Sequence, residues 1–565
     1  MSDTPTPRLQ AQATRLQSLS FAEPTPAAIS DWVAALPLTN INETATQLDL
    51  ASAELAQLAS AGPVKFDCLE ALRPVTHYVC SRLERNAGGD KQASASAATL
   101  LLNLCNGYKA VVVDLVPAQE GVKHKGGLRD ALAKSMHRLL ADLSRVLLRA
   151  LQNYAAPPTN FWFELHEAYR LSEALDLTGF SMVDDENHSA SSITIEHAYI
   201  RSLLLATCKS NQIRKGQISK IFSALELWGD QVLLTAQLDD AVFVVDLLGN
   251  HPPMFQKQTR NLQEPRGLRV DVVTYEIEAY LNGLNSSMPI PDTLEHDLLN
   301  HLIQAWSSIA SRSFKRLSTN TPLRVCVGLR AAHYFLSGGV DFTSQIANTD
   351  AKLRREVNPF LDVSYESTSK EEDDPWSQAH DLKVRIPENP NIETPESILL
   401  NQTPNPMPQS NYEHQEATAC DTSPAGYQVV WLNGSTTPQV GDLIAVREEK
   451  DSRWCIAAVR WLRRERGEIR TGVELLAPKA IPVGLRVIQK VGGPTDYVRG
   501  LLLPEVPAIK QAATLITPSV PFTSSHKVNI HRQGLQTTAQ LTDLRQKTET
   551  FNQFTFRLLD GYLES

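Results

Sequence analysis

The sequence predicts a multidomain α+β protein: an N-terminal all-α helical bundle or repeat, then a C-terminal antiparallel β-barrel with a long disordered insertion. Three observations predict this class. Apolar residues recur at steps of three and four through most of residues 31–230, the period of amphipathic helices. Prolines and acidic residues crowd residues 345–415, which carry few apolar side chains to bury. Short alternating segments follow them, with predicted turns at Asn433–Gly434 and Arg466–Gly467, as in a small barrel.

The composition is that of a globular chain with several cores. Its 565 residues, 42% hydrophobic and 21% charged, allow roughly three to four domains. The formal net charge of −9 argues against nucleic-acid binding over the whole surface but leaves room for a local cationic pocket. No stretch approaches the ~18 continuous apolar residues of a membrane span, and the N-terminus lacks the apolar core of a secretory signal. The seven cysteines are scattered without a Cys-x-x-Cys pair, so we expect a cytoplasmic protein without disulfides or a zinc site.

The N-terminal part is predicted to be helical after a flexible lead-in at residues 1–30, which are rich in Thr, Pro, Ala and Gln. Asp31 is the predicted N-cap of a first helix that ends at Pro37. Further amphipathic helices are predicted at 67–84, 128–151 and 161–175. Joined by short polar loops, they would form an antiparallel bundle or a helical-repeat stack over residues 31–230.

Residues 231–310 are predicted to form a small α/β connecting region, with strands at 241–246 and 268–273 and a helix from 295 to 310. The barrel is predicted over residues 311–490, followed by a β-rich C-terminal extension at 491–565. The predicted barrel strands are 323–327 and, after the insertion, 426–432, 442–447, 454–462 and 470–476. The pattern leaves open whether the connecting region and the extension are separate domains.

Two short motifs lie on either side of the insertion. Arg312 and Arg316 form an Arg-x-x-x-Arg pair, and Asp421, Ser423 and Gly426 form an Asp-x-Ser-x-x-Gly run. Their order, together with the strands that follow, resembles that of the PilZ domain, so the barrel is identified as PilZ-like. The resemblance implies that these five residues bind cyclic di-GMP as a ligand and that the protein needs no cofactor.

These residue types suit a cyclic dinucleotide, which carries two phosphodiester charges and two guanines. An arginine guanidinium can pair bidentately with a phosphate or with guanine O6 and N7, and it can stack on a base. The carboxylate of Asp421 can accept hydrogen bonds from guanine N1–H and N2–H, and Ser423 adds a hydroxyl. Gly426 permits a positive φ or the close approach of a ligand.

Simpler explanations exist for both motifs. Arg312 and Arg316 could form the basic C-terminus of a helix, and the Asp421 run could be an ordinary turn. Arg460 and Arg464 have the same spacing as the first pair but follow the second motif, so they are secondary candidates for ligand contact. The motifs are also farther apart than in the family. The insertion explains the excess at little cost, because closure entropy grows only logarithmically with loop length.

No catalytic or metal-binding motif is complete in the sequence, so we expect a binding protein and not an enzyme. His166 and Glu167 begin a zinc-protease motif, but Arg170 stands where its second histidine would be. The sequence therefore predicts no metal site there.

The helical half resembles, more loosely, the region before PilZ modules in some proteobacterial signalling proteins. The two resemblances imply a cyclic di-GMP receptor that relays the second-messenger level to an unidentified protein partner through its helical domain. The implied output is control of type IV pili, motility or biofilm. The alternative hypothesis is a protein-interaction scaffold whose degenerate PilZ-like barrel binds no nucleotide. Neither hypothesis includes a nucleic-acid partner or a membrane span.

Overall fold

The computed structural model divides into two compact units, Met1–Ser311 and Arg312–Ser565. The first is mainly helical and the second contains two β-barrels, so the predicted order of an α-helical part followed by a β-barrel is confirmed. The residues that the structure describes are 8–11, 13–86, 91–118, 126–190, 192–307, 317–346, 412–423, 425–432, 437–449, 453–489, 495–505 and 511–560.

Amphipathic helices make up most of the first unit. In chain order they are α1 (Pro26–Ala34), α2 (Ile41–Gln57), α3 (Gly62–Asn86), α4 (Lys91–Ala118), α5 (Gly126–Gln152), α6 (Phe161–Ala174), α7 (Ile195–Thr207) and α8 (Lys215–Trp228). α4 packs against α2, α3 and α5. Leu48, Leu72, Leu101 and Leu139, one from each of these four helices, are fully buried in one core. The three long helices predicted from the apolar spacing are confirmed, because that spacing places one continuous apolar face toward the core.

Short strands complete the first unit. β1 (Ser181–Val183) pairs with β2 (Ser192–Thr194). A four-stranded sheet has the order β3–β6–β4–β5. Its strands are β3 (Leu233–Thr235), β4 (Phe243–Asp246), β5 (Met254–Phe255) and β6 (Pro265–Arg269), and two helices follow, α9 (Asp271–Leu281) and α10 (His296–Ser307).

The predicted strand at 268–273 is wrong in its second half. The strand ends at Arg269, and α9 begins at Asp271. Val273 and Ile277, one helical turn apart, are both fully buried. Packing of this helix face therefore overrides the β-preference of the β-branched run. The connecting region shares one hydrophobic core with the bundle helices.

The first thirty residues differ from the predicted flexible lead-in. Within their described part, Leu9 and Leu19 are buried in the bundle core. The backbone N–H of Leu16 donates to the carbonyl of Gln57 at 3.2 Å. These residues are few and mostly polar, but their two leucines bury enough surface to hold the segment on the bundle.

The first helix begins earlier than predicted. α1 starts at Pro26, and Thr25 is its N-cap, with the threonine hydroxyl accepting from the N–H of Ala28 at 3.3 Å. Asp31 lies inside the helix instead of capping it. Proline at the first helical position suits a helix start, since its missing N–H would have no partner there.

One described helical stretch, Gln92–Pro117 within α4, is long and apolar enough to cross a membrane by length and composition, and 67% of its most apolar window is buried inside the unit. Its residues Tyr108 and Val112 are fully buried. A bundle helix that is surrounded by other helices has this composition because it is apolar on most sides.

Buried charges tie α3 and α5 to the segment after β1. Arg73 donates to Asp142 at 2.8 Å and to Asp184 at 2.7 Å. His77 contacts Asp142 at 3.0 Å, and Arg138 pairs with Asp184 at 3.4 Å. Burial alone would raise the pKa of Asp142, but the Arg73 charge outweighs burial and holds that pKa well below its usual range.

The first barrel of the second unit closes in the order β10–β11–β12–β9–β8–β7, with β7 pairing back to β10 and every pair antiparallel. The strands are β7 (Leu317–Val327), β8 (Gln415–Ser423), β9 (Gly426–Trp431), β10 (Leu443–Glu448), β11 (Cys455–Glu465) and β12 (Glu468–Ala477), and α11 (Leu329–Leu336) follows β7. The five strands predicted for this barrel are confirmed at these positions. The predicted turn between β11 and β12 is confirmed too, since Arg466 and Gly467 have φ angles of 51° and 83°.

Two predictions lie wholly or almost wholly outside the described residues. These are the disordered insertion at 345–415 and the turn at Asn433 and Gly434.

The second barrel closes in the order β13–β14–β15–β18–β17–β16. Its strands are β13 (Ile481–Val487), β14 (Val498–Leu503), β15 (Thr514–Pro518), β16 (Lys527–Arg532), β17 (Leu535–Lys547) and β18 (Phe551–Asp560). β13 pairs with β14 and β16, so the predicted boundary at residue 490 falls one strand late. Hydrophobic periodicity indicates where a strand lies but not which strands it pairs with.

The two barrels pack against each other around α11. Leu443 and Ala458 of the first barrel share a buried cluster with Leu501 and Phe551 of the second, and Ala332 of α11 belongs to it. The second unit is therefore one packed body with two barrel cores.

Candidate functional site

The Asp-x-Ser-x-x-Gly run lies on the hairpin formed by β8 and β9. Asp421 and Ser423 are on β8, and Gly426 is the first residue of β9. Across the hairpin, Asp421 pairs with Gln428 and Ser423 pairs with Gly426. Both Asp421 and Ser423 are half-buried.

Alternation along the strands directs these side chains to the outside of the barrel. Ala419 and Val429 pair with each other and lie in the barrel core. β8 has a bulge between Ala419 and Asp421, which places an extra residue there. Gln428 follows the inward-packed Tyr427 and precedes Val429, so it and its partner Asp421 face outward.

Gly426 has a structural reason to be glycine. Its φ is +150°, and a Cβ at this position would overlap the backbone carbonyl of Val473. β9 and β12 run close together here, with Gly426 opposite Glu474. A side chain at Gly426 would push the two strands apart.

Ser423 also stabilises the hairpin. Its Oγ donates to the carbonyl oxygen of Gly426 at 3.3 Å. The backbone N–H of Leu475 donates to the carbonyl of Ala425 at 2.8 Å, which holds the turn against β12. The motif therefore builds its own local structure, whatever it binds.

Arg312 and Arg316 lie outside the described residues. The described chain resumes at Leu317, the residue after Arg316 and the first residue of β7. Leu317 pairs with Thr422, and Ser318 pairs with Asp421. β7 therefore begins directly beside the Asp-x-Ser run, although the insertion lies between them in the sequence.

The secondary candidates Arg460 and Arg464 lie apart on β11 and do not share a face, because the strand partner of Arg464 packs against the barrel core. Arg460 forms an ion pair with Glu474, which is opposite Gly426. The Nη2 of Arg460 donates to Gln546 Oε1 of the second barrel at 3.0 Å. Arg464 pairs across the strands with Ile469, near the β11–β12 turn. Arg460 thus borders the motif, whereas Arg464 lies several residues away along β11.

Sequence reasoning missed a row of residues on the outer face. Trp461 pairs with Gly472, and Gly472 pairs with Gln428. The indole of Trp461 lies over Gly472, since a Cβ there would overlap the indole nitrogen. The Arg463 guanidinium lies 5.7 Å from the centre of the Trp461 ring system. A glycine inside a β-branched strand was the available signal, because it marks a close approach.

The second unit also has an aromatic groove of about 740 Å³. It lies where α11 meets the start of β8 and the start of β11. Its rings belong to Tyr334, Phe335, Tyr412, His414 and Trp454, and the Arg447 guanidinium lies 4.7 Å from the Trp454 ring centre. Among the described residues, Asp421, Ser423 and Gly426 do not line this groove.

The partial zinc motif is part of the packing of the helical unit. His166 is fully buried, with Nδ1 2.8 Å from the Tyr199 hydroxyl and Nε2 3.0 Å from the carbonyl of His251. Burial lowers its pKa to about 4. Within the part of the chain that the structure describes, no group of three or more His, Cys, Asp and Glu side chains could hold a metal ion.

Comparison with known proteins identifies relatives over nearly the whole chain. Three family models match: the cyclic-di-GMP receptor FimW N-terminal domain at residues 27–239, its middle PilZ domain at 242–482 and the FimW C-terminal beta-barrel domain at 483–559. A curated protein, the cyclic-di-GMP receptor FimW of Pseudomonas aeruginosa, is 28% identical over 563 residues. The match covers 96% of this chain and 92% of that protein. No solved structure matches the chain.

Proposed function

Because this chain belongs to the FimW family of cyclic-di-GMP receptors, we propose that it binds cyclic di-GMP on the outer face of its first barrel. The proposed contacts are Arg312, Arg316, Asp421 and Ser423, with Gly426 holding the hairpin. Arg460 is a secondary contact at the edge of this face. The protein acts by binding and does not catalyse a reaction.

The observation that carries this proposal is the register of β7 against β8. Leu317 is opposite Thr422, and Ser318 is opposite Asp421. Since Arg316 is bonded to Leu317, its Cα is about 3.8 Å from that of Leu317 in any conformation with a trans peptide. The long gap between the motifs in the sequence is therefore no obstacle to a joint site.

The chemistry of the outer face supports an anionic guanine ligand. Asp421 can accept hydrogen bonds from guanine N1–H and N2–H, and the Arg316 fork can take a phosphate or a guanine edge. Ser423 keeps acceptor capacity on its hydroxyl after donating to Gly426. The arginine of such a site supplies both charge and planar recognition.

Titration calorimetry with cyclic di-GMP tests the proposal on the full chain. We expect saturable binding by the native protein and loss of binding in Arg316→Ala with an unchanged melting temperature. Arg557→Ala, an exposed arginine of the second barrel that donates to Gln540 at 3.0 Å, is the matched control and should bind normally. An absence of heat and of any thermal shift at high ligand excess in the native protein would contradict the function.

One observation favours a second candidate, a scaffold whose barrel binds no nucleotide. Ser423 and Gly426 both stabilise the hairpin by themselves, so the motif could persist without a ligand. The same titration separates the two candidates, because only the receptor binds cyclic di-GMP.

We further propose that the receptor acts in the cytoplasm and relays ligand level to a protein partner through its helical unit. The family resemblance suggests type IV pili, motility or biofilm as the output. An affinity capture with and without cyclic di-GMP tests the relay. The expected result is a partner retained in a ligand-dependent way and lost with Arg316→Ala. A partner retained equally in all three conditions would contradict the relay.

A further inference from the structure

We infer that Trp461 forms the stacking surface for one guanine of the bound cyclic dinucleotide. This inference rests on the proposed function and adds a residue that neither motif contains. It concerns only the first barrel and the outer face that carries Asp421.

The indole of Trp461 lies flat against the strand beside it because that strand has no side chain there. The neighbour is Gly472, whose missing Cβ leaves space that the indole nitrogen and its ring atoms occupy. Trp461 is half-buried, so part of the ring remains open to solvent. Arg463 is 5.7 Å from the ring centre, which adds positive potential beside an aromatic surface.

Trp461 and the Asp-x-Ser run belong to one continuous row across the sheet. Trp461 pairs with Gly472, Gly472 with Gln428, Gln428 with Asp421, and Asp421 with Ser318. Paired residues point to the same side of a sheet, and Gly472 lies between the inward-facing Thr471 and Val473. The whole row therefore faces outward.

The spacing of this row suits a ligand with two bases. Gly472 and Asp421 are two strands apart, which is roughly 10 Å at the usual strand separation. A cyclic dinucleotide carries its two bases on opposite sides of one phosphodiester ring. One base can therefore meet Asp421 while the other lies on Trp461, with Gln428 between them.

The bordering charges agree with an anionic ligand that covers this row. Arg460 lies next to Trp461 in the chain and is held by Glu474 at the Gly426 edge. Arg470 is on the other side, held by Glu468 at 3.0 Å. The row is thus bounded by two guanidinium groups, each of which can turn toward a phosphate at small cost because its present partner is solvent-exposed.

Calorimetry on point variants of the full chain tests the inference. Trp461→Ala should weaken cyclic di-GMP binding roughly 5- to 150-fold, the range for loss of one base–aromatic stack. Trp461→Phe keeps a ring and should retain most of the affinity. Tyr497→Ala is the matched control, since Tyr497 also carries an arginine, Arg486, at 4.5 Å from its ring, but on the second barrel.

A fluorescence titration provides a readout that does not depend on the alanine variant folding. Ligand binding should quench tryptophan emission in the native protein, and this quenching should be lost in Trp461→Phe although calorimetry still detects binding. Quenching that persists in Trp461→Phe, or native affinity in a folded Trp461→Ala, overturns the role of Trp461. If a Trp461 variant gives either of these results while Arg316→Ala still abolishes binding, the receptor function stands and only the role of Trp461 is overturned.

Discussion

Ser318 and Asp421 are register partners across β7 and β8, although the whole insertion lies between them in the sequence. Antiparallel pairing brings their Cα atoms to roughly 5 Å. The start of the barrel and the Asp-x-Ser run are thereby joined by backbone hydrogen bonds, and a ligand site built from both needs no further rearrangement of the strands.

The carboxylate of Glu474 should oppose ligand binding. Glu474 is the strand partner of Gly426 at the edge of the outer face, and its carboxylate forms an ion pair with Arg460. Glu474→Ala removes a negative charge near an anionic ligand and releases the Arg460 guanidinium. We expect cyclic di-GMP to bind about 3- to 10-fold more tightly at low ionic strength, with the gain lost in about 1 M salt.

Titration calorimetry at two salt concentrations measures this effect. Glu416→Ala is the matched control, since Glu416 is exposed on β8 but lies at the opposite end of that strand from Ser423. Weaker or unchanged binding by Glu474→Ala would argue against a ligand at this edge.

Gly426→Ala should destabilise the first barrel whether or not a ligand is bound. The added Cβ would overlap the Val473 carbonyl, and φ is +150°. We expect a loss of about 1–3 kcal/mol, measured as a lower melting temperature in scanning calorimetry. Gly467→Ala provides the comparison, because its φ is +83° but a Cβ there would meet nothing within 4 Å. Equal losses in the two variants would mean that the Val473 contact is unimportant.

The pair of Arg73 and Asp142 should dominate the stability of the helical unit. Asp142→Asn removes one of the two carboxylates that pair with the buried Arg73 and leaves only Asp184. Breaking a buried pair costs about 3–5 kcal/mol, and the remaining Asp184 should keep the loss at the lower end of that range. Asp130→Asn on the same helix is the control. Asp130 pairs with Lys134 at 2.7 Å but both side chains are well exposed, so its loss should cost less than about 1 kcal/mol. Chemical denaturation measures both, and similar midpoints for the two variants would contradict this ranking.

Acidification should destabilise the helical unit already at pH values above those at which carboxylates titrate. Burial lowers the pKa of His166 to about 4, and burial also lowers that of His137 to about 4. Both stay neutral in the folded state while the unfolded chain takes up protons below its pKa of about 6.5. Folding stability is therefore full above pH 6.5 and falls as the pH drops toward 4, by about 2 kcal/mol per histidine at pH 5.

Denaturation midpoints at pH 7 and pH 5 check this sign and size. His166→Gln removes one titrating group, so its midpoint should change less between the two pH values than that of the native protein. A native midpoint that rises on acidification would contradict the assignment of neutral buried histidines.

Local patterns predicted the helices α3, α5, α6 and α10 and five strands of the first barrel. Leu132, Met136, Leu139 and Leu143 have helical spacing and are all buried on α5, because an amphipathic helix records its buried face in its own period. Five of the six strands of the first barrel followed from alternation in the same way, and only β8 did not. Asp31 and the run at 268–273 were misassigned because capping and β-propensity are weak preferences that packing decides.

The sequence by itself determined the order of helical and barrel parts, the Asp-x-Ser-x-x-Gly run and the family resemblance, since each depends on residues near one another in the chain. Only the tertiary structure decided that Ser318 meets Asp421, that β13 belongs to the second barrel, and that Trp461 covers Gly472. These are pairings between distant segments. Such pairings are selected by the closure of a whole barrel, which no single stretch of sequence encodes.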